Sequence, residues 1–142
     1  MADISQRADI EQIVNTFYQK VRNDAQLGPI FDEIAQVNWN KHLPKMYDFW
    51  EHVLWGTGSY NGHPMLPHFQ VNDKFPLLTQ HFNHWKALFF ETVDELFVGE
   101  QADRMKASAT SIASIMESKM KMAQLFKVQH HSNPTYSAPA EE

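Results

Sequence analysis

The sequence predicts an all-α protein folded as one domain. Apolar side chains recur every three to four positions through four long stretches, and no stretch alternates apolar and polar residues as a half-buried strand would. Glycine and proline concentrate between these stretches, where the chain must turn. A length of 142 residues is enough to bury a core without disulfides or metals as staples.

The first helix is expected from about Asp9 to Asn23, with Ile10, Ile13, Val14, Phe17, Tyr18 and Val21 on one stripe. Asp9 followed by Gln12 resembles a capping box. Leu27-Gly28-Pro29-Ile30-Phe31 then breaks the period and leaves room for a short turn. The second helix is expected from about Asn40 to Trp55. Pro44 lies inside it, and a missing N–H costs little only near a first turn, which places the start close to Asn40. Met46, Phe49 and Val53 share a row, and His42 stands in line with it four residues earlier.

Gly56 to Pro67 reads as a turn-rich connector shaped by glycine and proline, and irregular chain is expected from His68 to Pro76. The third helix carries Leu78, Phe82, Trp85, Leu88, Phe89, Val93 and Leu96 and ends at Gly99. The fourth, about Gln101 to Phe126, has Ala102, Met105, Ala109, Ile112, Ala113, Met116 and Met120 on its stripe. Residues 1–127 are expected to form the domain and 128–142 a disordered tail.

Composition narrows the function. Aromatics make up 13% of the chain, with ten Phe, four Trp and seven Met, more large apolar surface than a small bundle needs and suited to lining a cavity for a flat ligand. A net charge of -5 without a basic block argues against nucleic acid as a partner. The absence of cysteine removes disulfides, thiolate metal sites and cysteine nucleophiles, and fits a reducing, cytoplasmic setting. No signal-peptide pattern opens the chain, and no apolar run approaches the ~20 residues that cross a bilayer, so no membrane partner is expected.

The most informative residue is His68, within Pro64-Met65-Leu66-Pro67-His68-Phe69. An imidazole on a stiff apolar connector, with the Tyr18 phenol and Trp85 indole inside neighbouring apolar stripes, suits a ligand to a buried metal such as haem iron. Taken singly, each has a plainer reading. His68 alone reads as a loop histidine bonded to backbone, Tyr18 as a helix-edge residue with its hydroxyl in water, and Trp85 as core. His42 divides between pocket lining and solvated surface. Met105, Met116 and Met120 belong to a core stripe.

In order and spacing, the pieces resemble a truncated haemoglobin of the third group over roughly Ile10 to Met120. The matching residues are Phe17-Tyr18 with Val21-Arg22, Leu27-Gly28-Pro29-Ile30-Phe31, His42, Phe49-Trp50, Gly58-Ser59-Tyr60-Asn61-Gly62 with Pro64, His68, and His81-Phe82 with Trp85 and Leu88-Phe89. That group is similar in lacking double-glycine motifs, and this chain has no Gly-Gly pair. The resemblance implies a shortened globin, two helices packed over two around haem b. It further implies His68 as the proximal iron ligand, Tyr18, His42 and Trp85 as distal residues, Phe31 packed on the haem and Met46 one turn after His42.

Neutral imidazole supplies iron with a fifth ligand without adding charge. Dioxygen at the open position gains negative charge on its outer atom, for which Tyr18 and Trp85 are suitable donors. Phe17, Phe31, Met46 and Phe49 would exclude water, and Lys45 is placed to pair with a haem propionate. Two donors predict slow oxygen release, which suits a sensor, a scavenger or peroxidase-like and nitric-oxide dioxygenase-like chemistry better than transport. Turnover would require a reductase partner. Two other readings stay open on the residues alone. One is a zinc-type site from His81 and His84 with His63 or His68; the tail pair His130-His131 is incidental to it. The other is a helical interaction module with no cofactor.

Overall fold

The structure, a computed structural model, describes residues 1–58, 60, 62 and 65–131, without the side chains of 65, 66 and 128–131. Its elements are α1 (Arg7–Asn23), a π-helical turn (Ile30–Ile34), α2 (Trp39–Trp55), α3 (Met65–Lys74), α4 (Thr79–Leu96) and α5 (Glu100–His131). No strand occurs among the described residues. Helix α1 packs on α2 and α4 on α5, with α1 against α4 and α2 against α5 joining the pairs. This is the expected two-over-two arrangement. Helix α3 packs on α5 and touches the π-turn.

All six residues of the α1 stripe are buried, among them Ile10, Ile13, Val14 and Val21, which are fully enclosed. The helix begins two residues earlier than expected, so Asp9 lies inside its first turn. Its carboxylate accepts the backbone N–H of Ser5 at 2.9 Å, and the box anticipated with Gln12 is not formed. After α1 the chain folds back so tightly that a Cβ on Gly28 would sit 2.7 Å from the Arg22 carbonyl oxygen, which requires glycine there.

Pro44 lies one turn into α2, which starts at Trp39. The ring removes the N–H that the Asn40 carbonyl would otherwise accept. The larger correction concerns His68. The chain around it is helical, not an irregular connector: α3 runs from Met65 through Lys74. Pro67 is the third residue of that helix, where its missing N–H would have found no acceptor within the helix. Ser59, Asn61, His63 and Pro64 of the connector, and residues 132–142 of the expected tail 128–142, lie outside the described residues. Helix α5 continues to His131, past the boundary expected near 128.

The first residues belong to the fold. Asp3 accepts the backbone N–H groups of Gln101 at 2.9 Å and Ala102 at 3.0 Å, capping α5. Val98 N–H donates to the Ala2 carbonyl at 3.0 Å. Gly99 makes room for this contact: it has φ of 147°, and a Cβ there would lie 2.4 Å from the Asp3 side chain.

Candidate functional site

A cavity of about 310 Å³ opens between α2 and α3, within the size range of small-molecule sites. His42 and Lys45 on α2 line one side, and Pro67 and Val71 on α3 line the other. His42 Nε2 is buried and has no hydrogen-bond partner among the described residues. A polar atom buried without a partner costs about 1–3 kcal/mol, and such atoms commonly mark function. Burial first, then the neighbouring charges of His68 and Lys45, push the imidazole pKa down to about 4. The ring is therefore neutral at pH 7.

Rings stand behind His42. Tyr18 is 5.1 Å from it, edge-on, and Phe31 is 5.9 Å from Tyr18. Burial raises the Tyr18 hydroxyl well above its usual pKa, so it remains protonated and able to donate. Phe17 joins Tyr18, at 4.9 Å, to Trp85, at 5.6 Å. Trp85 is half-buried, stacked on Phe89 and edge-on to Phe17. Neither the Tyr18 hydroxyl nor the Trp85 indole N–H is hydrogen-bonded to a described residue. Met46 and Phe49 are half-buried and pack against the core, Phe49 with its edge toward Tyr60 at 5.2 Å.

His68 is half-buried on α3. That helix is fixed one turn later by Asn72, a buried residue that the apolar pattern gave no means of singling out. Its amide donates to the Met120 carbonyl at 3.3 Å and accepts the Leu77 N–H at 2.9 Å and the Gln124 amide at 2.7 Å. Lys41, Lys45 and Lys74 rim the cavity, and none forms an ion pair with a described residue. No acidic residue is among the described residues that line it. The rim suits a ligand with an apolar body and carboxylate ends. Of the predicted site residues only His42 and Lys45 line this cavity; Tyr18 packs on His42 from behind it, and His68 and Trp85 are not among the lining residues. A buried imidazole nitrogen bonded to no described residue and a cationic rim fit haem.

The histidines of the zinc reading are otherwise engaged. His81 Nδ1 accepts the Leu78 N–H at 2.9 Å at the start of α4, and His84 Nε2 pairs with Asp24 at 2.6 Å. Among the described residues no three His, Asp or Glu side chains gather as a metal site. His63 lies outside them.

Residues 2–124 match the model of the bacterial-like globin family. The group 3 truncated hemoglobin ctb of Campylobacter jejuni is 33% identical over 108 residues, 74% of this chain and 83% of that protein. The chain is a group III truncated haemoglobin. The crystal structure of the group III truncated hemoglobin from Campylobacter jejuni agrees, with a TM-score of 0.73 at 31% identity over 84% of this chain and 95% of that one. The truncated haemoglobin is thus a haem-binding globin of a family that binds diatomic gases. No helix among its described residues is long and apolar enough to cross a membrane.

Sequence reasoning missed one residue of this truncated haemoglobin's site. Trp39, the first residue of α2, lies 5.2 Å from the Tyr18 ring and 5.5 Å from the His42 ring. Its i, i+3 spacing to His42 was the available signal.

Proposed function

We propose that this globin binds dioxygen and other diatomic ligands at a five-coordinate haem b held by His68, with Tyr18, His42 and Trp85 on the ligand side. The observation that carries this reading is the buried, unpartnered Nε2 of His42 beside Tyr18, on the wall opposite α3. When bound, haem supplies an iron with one open position for a diatomic molecule. His68 offers it an imidazole from a helix held in place by Asn72. Tyr18 offers an O–H that burial keeps protonated, and Trp85 an N–H not used elsewhere. His42, neutral at pH 7, carries one ring proton and donates or accepts according to tautomer.

Phe17, Phe31, Met46 and Phe49 keep water from these donors, which strengthens their hydrogen bonds. Lys45, with Lys41 and Lys74 beside it, holds the haem carboxylates. Each donor to a partly charged ligand contributes roughly 1.5–3 kcal/mol, enough to slow release about ten-fold or more. Slow release favours sensing, scavenging or redox chemistry on oxygen, nitric oxide or peroxide over transport. Such turnover draws electrons from a reductase, and a cysteine-free chain suits the cytoplasm where one would be found.

Visible spectra of the protein, reduced and then placed under carbon monoxide, test the cofactor. A Soret band that shifts on both steps is expected, and a featureless spectrum after haem supplementation would refute the reading. Stopped-flow release then tests the residues: His68→Ala should lose haem, and Tyr18→Phe should release oxygen about ten-fold faster. An unchanged rate in Tyr18→Phe would refute the distal assignment.

A further inference from the structure

We infer that Trp39, clasped by Asp32 and Arg22, is a positioning residue that sets the placement of Tyr18 and His42. The inference rests on the distal roles proposed for those two side chains. The Trp39 indole N–H donates to Asp32 Oδ1 at 2.8 Å, and Arg22 Nε meets Asp32 Oδ2 at 3.3 Å. The Arg22 guanidinium also lies over the indole, 4.9 Å from its centre. Phe31 stacks on the same indole at 6.0 Å with only 22° between planes. One aromatic ring is therefore fixed by a hydrogen bond, a cation and a stacked ring, drawn from α1, the π-turn and α2.

That fixed ring completes a triangle. Trp39, Tyr18 and His42 lie between 5.1 and 5.5 Å apart, each touching the other two. His42 Nε2 has no hydrogen bond to hold the imidazole, so ring packing sets its direction, and the rings that pack on it are Tyr18 and Trp39. The Trp39 N–H is committed to Asp32, in contrast to that of Trp85, and cannot serve a ligand. Its contribution is geometric. The backbone beside the clasp is held as well: Val37 N–H donates to the Phe31 carbonyl at 3.0 Å, and Gln36 adopts a left-handed φ of 52° between them.

The experiment uses the haem-loaded protein under carbon monoxide and under oxygen. Its variants are Asp32→Ala, Asp32→Asn, Trp39→Phe, the double variant Asp32→Ala/Trp39→Phe, and Tyr18→Phe. Infrared spectroscopy reads the C–O stretch, which senses donor placement, NMR reads solvent exchange of the Trp39 indole N–H, and stopped-flow reads oxygen release. Asp32→Ala should expose the indole N–H to exchange, shift or split the C–O stretch and speed release about three- to ten-fold. The double variant should do no more than Trp39→Phe alone, because Asp32 acts through the indole. Asp32→Asn keeps an oxygen for the indole and should stay within about two-fold of wild type.

If Tyr18→Phe moves the C–O stretch while Asp32→Ala leaves stretch and release at wild-type values, the clasp has no positioning role. Effects of Asp32→Ala and Trp39→Phe that multiply in the double variant overturn it equally. If Tyr18→Phe also leaves the stretch unmoved, the distal reading falls and the inference with it. Should Asp32→Ala not fold, Asp32→Ser, too short to keep the 2.8 Å bond, gives the same test.

Discussion

Helices α1 and α2 are each 17 residues long and pack side by side, yet α1 buries six side chains and α2 only Trp50 and Leu54. The difference does not lie in pattern, because Leu43, Met46, Phe49 and Val53 of α2 recur as regularly as the α1 stripe. They are half-buried all the same. Helix α1 lies between α2 and α4, and α2 between α1 and α5, but α2 also presents Lys41, His42 and Lys45 to the cavity it shares with α3. On the proposed reading the half-buried row of α2 is what bound haem would cover, whereas the enclosed row of α1 is core.

The widest separation should come from large-to-small changes on the two helices. Phe17→Ala, at 1% exposure, should lower unfolding free energy by about 3–5 kcal/mol in urea titrations. Met46→Ala should cost only about 1–2 kcal/mol but hasten haem loss to an acceptor globin. Equal stability losses would mean that α2 is ordinary core, and the contrast would collapse.

Asn72→Ala sharpens the other side of the cavity. It strips three hydrogen bonds from a buried site, for an expected loss of about 1–3 kcal/mol, and should weaken haem retention by loosening α3. Stability loss with unchanged haem retention would show that α3 is held by packing alone.

Acid should act on the cavity side first. The His42 pKa is about 4 in the folded chain, against 6.5 for the free side chain, so between these values the unfolded chain binds a proton that the folded one refuses. Its contribution to stability is complete above pH 6.5 and is lost as pH falls toward 4, at up to about 1.4 kcal/mol per pH unit. Urea titrations at pH 7 and 5 should therefore diverge more in wild type than in His42→Gln. Equal divergence would mean that the imidazole is solvated. The smallest effect is a control far from the cavity: Asp3→Ala should cost about 1 kcal/mol by uncapping α5 and leave oxygen release unchanged.

The fold was legible because helical period is a local signal: the stripes of α1 and α5 largely coincide with the core that forms, and that of α4 contributes Phe82, Phe89 and Val93 to it, while Leu78 is exposed. Two misreadings share a cause. From sequence, Pro67 reads as part of a connector because proline ends helices, yet at the third position of one it costs nothing. Trp39 reads as outside α2 because Pro44 draws the expected start toward Asn40, whereas the helix begins a residue earlier and tolerates proline one turn in. In both places proline's effect depended on distance from a helix start, which the residues did not announce. Asn72 escaped for another reason: a lone asparagine becomes informative only when Leu77, Met120 and Gln124 converge on it, and that convergence is tertiary.

The contact of Asp3 with the start of α5 bears on how this globin should be handled. Asp3 caps the helix that packs on α4, α2 and α3, and Ala2 receives the Val98 N–H, so the leading residues are working parts of the molecule. Loss of residues 1–3 would remove the cap of α5, the longest helix among the described residues. A preparation clipped before Ile4 should therefore melt early whatever the state of its haem.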